Sequence, residues 1–147
     1  MKRILTSAII AALLPVAALS TASATDLKVL SSWNKDNWPT YAVLDQFEKN
    51  VASIGGGKIK FVINGPEVVP AFEQLQPVSA GVFDILYTHG VYHSGSKGLA
   101  MALDGIDPGA EARRKAGLID YVDNYYQKNN NLKVLGLVAN SNHGYHI

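Results

Sequence analysis

The chain contains no cysteine, which excludes disulfides, a thiol nucleophile and thiolate metal ligands. Charge of one sign is lacking as well: 13 Lys and Arg face 12 Asp and Glu. That balance leaves no basic stripe for nucleic acid. No second long apolar run follows the N-terminal one, so no later segment suits a bilayer. Catalytic signatures are equally scarce. The sequence holds no H-E-x-x-H pattern and no G-x-S-x-G elbow around a serine. Gly55-Gly56-Gly57 precedes an expected strand instead of opening a helix, the wrong order for a phosphate loop. No internal repeat, coiled-coil heptad or low-complexity tail is present.

What is present begins with a leader. Lys2 and Arg3 precede an apolar run from Ile4 to Leu19, and Ala22-Ser23-Ala24 forms a small-x-small cleavage site before Thr25 and Asp26. These parts, in this order, make residues 1–24 a secretory signal peptide, with a retained signal anchor as the alternative. The apolar run is short and interrupted by Pro15, a poor membrane span. Residues 25–147 then have the length of one domain. The expected destination is outside the cytoplasm.

Leu27-Lys28-Val29-Leu30-Ser31 alternates as a strand, with Leu27, Val29 and Ser31 on one face. Asp36 or Asn37 is placed to cap the following helix and Pro39 to sit in its first turn. Leu44, Phe47, Val51 and Ile54 form its apolar stripe, and Gly55-Gly56-Gly57 ends it. Lys58 to Ile63 reads as a second strand. Ala71, Phe72, Leu75 and Val78 suggest a helix that Pro77 kinks or ends. Val82 to Tyr87 is a third, buried strand, opened by Gly81.

Gly98 to Leu103 suggests a brief helical turn. Asp107-Pro108 then starts a long helix with Leu118, Val122, Tyr125 and Tyr126 on its buried side, ended by Asn129-Asn130-Asn131. Leu132 to Ala139 reads as a fourth strand. The alternation of strand and helix predicts an α/β fold: a mostly parallel sheet with helices on both faces. The chain stops soon after that last strand with neither a covering helix nor a polar tail, so the expectation is a truncated lobe.

In an open parallel sheet, ligands bind beyond the carboxyl ends of the strands, because crossovers cover both faces. Those ends are Ser32-Trp33-Asn34, Asn64-Gly65-Pro66-Glu67, Tyr87-Thr88-His89-Gly90 and Asn140-Ser141-Asn142-His143. Their amides, hydroxyls and imidazoles, with helix N-termini beside two of them, suit a small polar anion. Trp33, Asn34, Glu67, Tyr87, Thr88, His89, Tyr92 and Asn140 are the candidate ligand-binding residues. Structural roles compete for several of them. Trp33 can pack under the helix, and Glu67 can complement a helix dipole. Asp84, inside the third strand, is expected to satisfy neighbouring backbone groups. None of the four ends holds arginine, and Lys35 is the cation nearby. A bidentate guanidinium for a carboxylate would come from elsewhere.

A secreted metal-dependent hydrolase is the rival class. His89 and His93 lie four apart, and His143 and His146 three apart, spacings that suit zinc on a helix. Gly90 and Gly144 argue against helices there, and no glutamate adjoins these histidines to act as base. Neither catalytic residues nor metal ligands are therefore assigned, no cofactor is called, and binding without chemistry is the expectation.

At these residues the chain resembles the first lobe of the solute-binding proteins of tripartite ATP-independent periplasmic (TRAP) transporters. The resemblance runs from about Leu27 to the end. It rests on Trp33-Asn34, Gly55-Gly56-Gly57-Lys58-Ile59, Gly65-Pro66-Glu67 with Ala71-Phe72-Glu73-Gln74-Leu75, and the Gly81-x-x-Asp84 entry to the third strand. Val68-Val69-Pro70-Ala71-Phe72 and the loop from Tyr87-Thr88-His89 to Tyr92 look most similar to the branch handling keto and hydroxy acids. The resemblance implies the first lobe of a type II periplasmic binding protein. A small organic acid, of keto, hydroxy or dicarboxylate type, would be clasped between two lobes and handed to the membrane permease subunits. It places Trp33, Asn34, Thr88 and His89 in the cleft and the carboxylate-binding arginine in a second lobe, which this chain does not reach. A homodimer is left open. The receptor of an ATP-driven importer shares this lobe design and stays as an alternative.

Overall fold

In the computed structural model, residues 24–95, 98–99 and 110–136 are described. Three strands, β1 (Thr25–Ser31), β2 (Ile59–Asn64) and β3 (Ile85–Tyr87), form one sheet in the order β2-β1-β3. Both pairings are parallel. The chain is α/β, as the alternation predicts. β1 takes the centre because its second half is apolar or small on both faces. Val29, Leu30 and Ser31 are fully buried, and burying Val29 and Leu30 stabilises the sheet by about 1.5–3 kcal/mol each. The register places Val29 opposite both Ile63 and Ile85, and Leu30 opposite both Asn64 and Leu86. The three carboxyl ends are thus level along one edge.

Helix α1 (Trp38–Ile54) connects the first two strands. Asn37 occupies its N-cap position without a side-chain cap bond, and proline stands in the first turn, where its missing N–H costs nothing. Leu44 is buried, and Phe47 meets Phe61 of β2 at 5.6 Å between ring centroids. Ile54 departs from the expected stripe: it is the last residue of the helix and is 89 % exposed. Gly56 (φ 59°) and Gly57 (φ 74°) take the left-handed turn that ends the helix, with the Gly57 N–H donating to Ala52 O at 2.8 Å.

The segment after β2 is not one kinked helix. Ala71–Glu73 forms a single 3-10 turn, and α2 (Leu75–Ser79) follows. Pro77 lies inside the first turn of α2, where it is tolerated, and Val78 supplies the buried contact. The third strand is shorter than Val82 to Tyr87. Gly81 (φ 75°) turns the chain off α2, and the Val82 N–H donates back to Pro77 O at 2.9 Å. Residues 82–84 therefore close a turn before pairing starts. Asp84 bridges the gap: its N–H donates to Lys28 O at 2.8 Å, and its carboxylate accepts the Lys28 N–H at 2.7 Å.

The last helical stretch is broken. α3 (Ala110–Lys115) and α4 (Leu118–Asn130) are separated at Gly117, whose φ of 70° no right-handed helix accommodates. Asp107, Pro108 and most of the expected turn from Gly98 to Leu103 lie outside the described residues. Val122 and Tyr126 of α4 form a buried cluster with Leu75, Leu99, Leu118, Tyr125, Leu132 and Val134 packed around it. Left-handed Asn131 (φ 54°) ends the helix within the expected asparagine triplet.

The fourth strand is not found over 132–136. Its described residues lie against α4 instead of the sheet. Asp123 accepts the Val134 N–H at 2.8 Å and the Lys133 ammonium at 2.7 Å. Backbone and side-chain groups that a strand would offer to a neighbour are thereby held by a helix. Residues 137–139 lie outside the described residues. Among the described residues, no helix is long and apolar enough to cross a membrane.

Candidate functional site

Because the sheet is parallel, the residues following all three strands gather at one rim. Trp33 and Asn34 follow β1, Gly65 to Glu67 follow β2, and Thr88 and His89 follow β3. The Ser32 N–H donates to Tyr87 O at 2.9 Å, which extends the β1-β3 pairing to the base of the rim. α1 begins a few residues beyond Asn34, with its N-terminus beside this edge.

Four aromatic rings form a ladder across the β1 and β3 side. Trp33, half-buried, lies 5.2 Å from Tyr87 and 5.8 Å from Tyr92, and Tyr92 lies 5.3 Å from Phe72. The tilted and edge-on geometries are those that ring quadrupoles favour. Phe72 closes the ladder at 71 % exposure. The Tyr87 hydroxyl donates to Thr40 O in the first turn of α1 at 2.8 Å, so its polar end anchors the helix to β3. Burial holds the Tyr87 phenol above its ordinary value.

Glu67 does not lie in a helical first turn. It sits in the tight turn after β2, where its carboxylate accepts the Gly65 N–H at 3.0 Å. A Cβ on Gly65 would meet that carboxylate, so a side chain at position 65 would displace Glu67 from its bond to the Gly65 N–H. Asn64 points its amide back along the sheet to Val29 O at 3.3 Å and Val62 O at 3.1 Å.

Asn34 and His89 are exposed at the rim. His89 Nδ1 accepts the Val91 N–H at 3.2 Å, fixing the ring over the 3-10 turn Gly90–His93. His93 lies at the other end of that turn and shares a 2.6 Å hydrogen bond with the Tyr126 hydroxyl in α4. Among the described residues, no three His, Cys, Asp or Glu cluster as metal ligands. His143, His146 and the candidate Asn140 lie outside the described residues.

Beneath the rim lies a buried polar cluster that sequence reasoning missed. Gln74, 1 % exposed, precedes α2 and reaches back to the end of β1. Its amide nitrogen donates to Ser31 O and to Val69 O, both at 2.9 Å. Its amide oxygen accepts the Ser32 hydroxyl at 2.6 Å, and Ser32 Oγ in turn lies 2.7 Å from Thr88 Oγ1. Gln74 thus joins the end of β1 to the segment after β2, and through Ser32 Oγ the chain of bonds reaches Thr88 after β3. The only local signal was a glutamine interrupting the apolar spacing of Phe72, Leu75 and Val78. Its partners Ser31 and Ser32 lie more than forty residues away in sequence.

No family model and no curated protein matches this chain. Among solved structures, the chain is similar to a TRAP transporter solute binding protein from Bordetella bronchiseptica RB50. The TM-score is 0.63 at 19% sequence identity, covering 72% of this chain and 34% of that one. That crystal structure is of a mixed occupancy dimer, with an active site that binds copurified calcium and picolinate versus an apo site. The present chain spans about a third of that protein's length. At this identity the likeness shows a shared α/β fold.

Proposed function

We propose that residues 25–147 are the first lobe of an extracytoplasmic solute receptor that binds a small organic acid and hands it to the permease subunits of a TRAP transporter. The observation behind this reading is the rim itself. Three parallel strand ends lie level, and they present Trp33, Asn34, Glu67, Tyr87, Thr88, His89 and Tyr92 on one edge. The likeness to a TRAP solute binding protein over 72% of this chain supports it. Residues 1–24 act as the signal peptide that delivers the receptor to the periplasm. The ligand class is a keto, hydroxy or dicarboxylic acid, and the site performs no chemistry on it. Asn34, His89 and the backbone at the start of α1 supply donors for oxygen atoms, while the Trp33-Tyr92-Phe72 ladder covers the carbon skeleton. A second lobe supplies the guanidinium for the carboxylate.

Thermal-shift screening of the full-length protein against keto, hydroxy and dicarboxylic acids at millimolar concentration tests this. The expected result is a rise in Tm with one class, abolished by His89→Ala without loss of folding. A flat profile across all three classes overturns the reading.

A further inference from the structure

The protons of the buried cluster beneath the rim can be placed one at a time. Gln74 Nε2 faces the carbonyl oxygens of Ser31 and Val69, both at 2.9 Å. Carbonyls only accept, so this end of the amide is the NH2 group and its orientation is fixed. The other end, Oε1, lies 2.6 Å from Ser32 Oγ. An amide oxygen has no proton to give, so the single Ser32 proton goes to Gln74. Ser32 Oγ must then accept in its 2.7 Å contact with Thr88 Oγ1, and Thr88 is the donor. Among the described residues, the other acceptor near Thr88 is the His89 carbonyl at 3.4 Å, beyond the usual O–H to O range. A proton turned that way would leave two hydroxyl oxygens 2.7 Å apart with nothing between them. Ser32 is 5 % and Gln74 1 % exposed, so water does not compete, and hydrogen bonds in such a chain reinforce one another.

We infer that the partly exposed Thr88 hydroxyl meets the rim as a hydrogen-bond acceptor, its proton locked inward by Ser32 and Gln74, and so selects a ligand that offers a hydroxyl there over one that offers a carbonyl. The inference rests on the small-acid receptor reading above and narrows it to hydroxy acids. A keto or carboxylate oxygen set against Thr88 would put lone pair against lone pair. A hydroxy acid donates instead. Thr88 is then a specificity-determining residue, with Ser32 and Gln74 as the residues that position its proton.

The test has a ligand-free arm and a ligand arm, both on the full-length protein. In the first, NMR of the unliganded protein should show a slowly exchanging Thr88 hydroxyl proton with cross-peaks to the Ser32 β-protons. Rapid exchange with water overturns the inference whatever the ligand. In the second, calorimetry compares L-lactate with pyruvate, a pair differing at the hydroxyl and keto oxygen. Lactate should bind about tenfold tighter. Thr88→Val should bring the ratio close to one, and Thr88→Ser, which keeps the hydroxyl, should preserve it. Equal or tighter binding of pyruvate, or a ratio unmoved in Thr88→Val, overturns the inference. If neither acid binds at millimolar concentration while the proton stays slow, the narrowing to hydroxy acids is overturned and the proton's position stands, while the small-acid reading is decided by the thermal-shift screen across all three classes.

Discussion

Ser32 and Gln74, forty-two residues apart, meet at 2.6 Å in a site closed to solvent, and their hydrogen bond ties the end of the central strand to the residue that introduces α2. Gln74 serves Ser31 O and Val69 O as well. Gln74→Ala should therefore lower stability by about 1–3 kcal/mol for each buried group left without a partner. Gln74→Glu is the sharper variant, because a carboxylate at that position cannot donate to two carbonyls. Denaturant titration at neutral pH should find Gln74→Glu at least as destabilised as Gln74→Ala, with part of the loss regained as the acid protonates. A Gln74→Glu protein as stable as the parent would remove the amide from this role.

Gly65 and Glu67 form a second linked pair. A methyl group at position 65 meets the Glu67 carboxylate, the far end of a flexible side chain. The side chain can move away, and what is lost is its bond to the Gly65 N–H. Gly65→Ala and Glu67→Ala should each cost about 0.5–1.5 kcal/mol. Both changes remove one interaction, so the double variant should cost little more than either alone. Full additivity in a double-mutant cycle would show that the two side chains act separately.

Local pattern in the sequence was enough for the parts of the fold whose causes are local. Alternation marked Leu27 to Ser31, and the glycines at 55–57 and asparagines at 129–131 stop their helices where expected. The failures have non-local causes. Leu132 to Gly136 has strand-like residues, yet Asp123 ten residues earlier holds Lys133 and Val134 against α4. Gly117 is tolerable inside a helical pattern, and only its positive φ shows that it breaks one. The same division runs through the site. Trp33, Thr88 and His89 could be placed just beyond strand ends, because ends are read from neighbours in sequence. Gln74 was invisible as a site residue, since its function consists of contacts to Ser31 and Ser32 made only after the sheet has formed.

Asp123 gives a prediction at acid pH. Its carboxyl is held below the ordinary carboxylate value, first by the hydrogen bond from Lys133 and then by the Val134 N–H. A folded-state value below the unfolded one means that the contribution is complete at neutral pH and is lost as pH falls through the folded value. Asp123→Asn should release residues 132–136 from α4 and lower Tm at pH 7. The gap to the parent should narrow below pH about 4 as the parent's own carboxylate protonates. Amide exchange at Val134 checks the mechanism directly: its N–H should exchange faster in the variant at pH 7.

Tyr126 gives the opposite dependence at alkaline pH. Burial, followed by the charge of Tyr125, pushes its phenol up to about 12. In the unfolded chain a tyrosine ionises near pH 10, so the folded form is favoured below that value and its advantage drains away as pH rises from about 10 towards 12. Tyr126→Phe removes the titrating group and the 2.6 Å hydrogen bond to His93 together. At pH 7 the variant should be less stable, by about 0.5–1.5 kcal/mol for the lost bond. Above pH 10 its stability should fall less steeply than the parent's, so the two curves approach each other. Parallel curves from pH 7 to 11.5 in denaturant titrations would mean that Tyr126 ionises with ordinary ease, and the hydrogen bond that fastens the rim loop to α4 would then need another explanation.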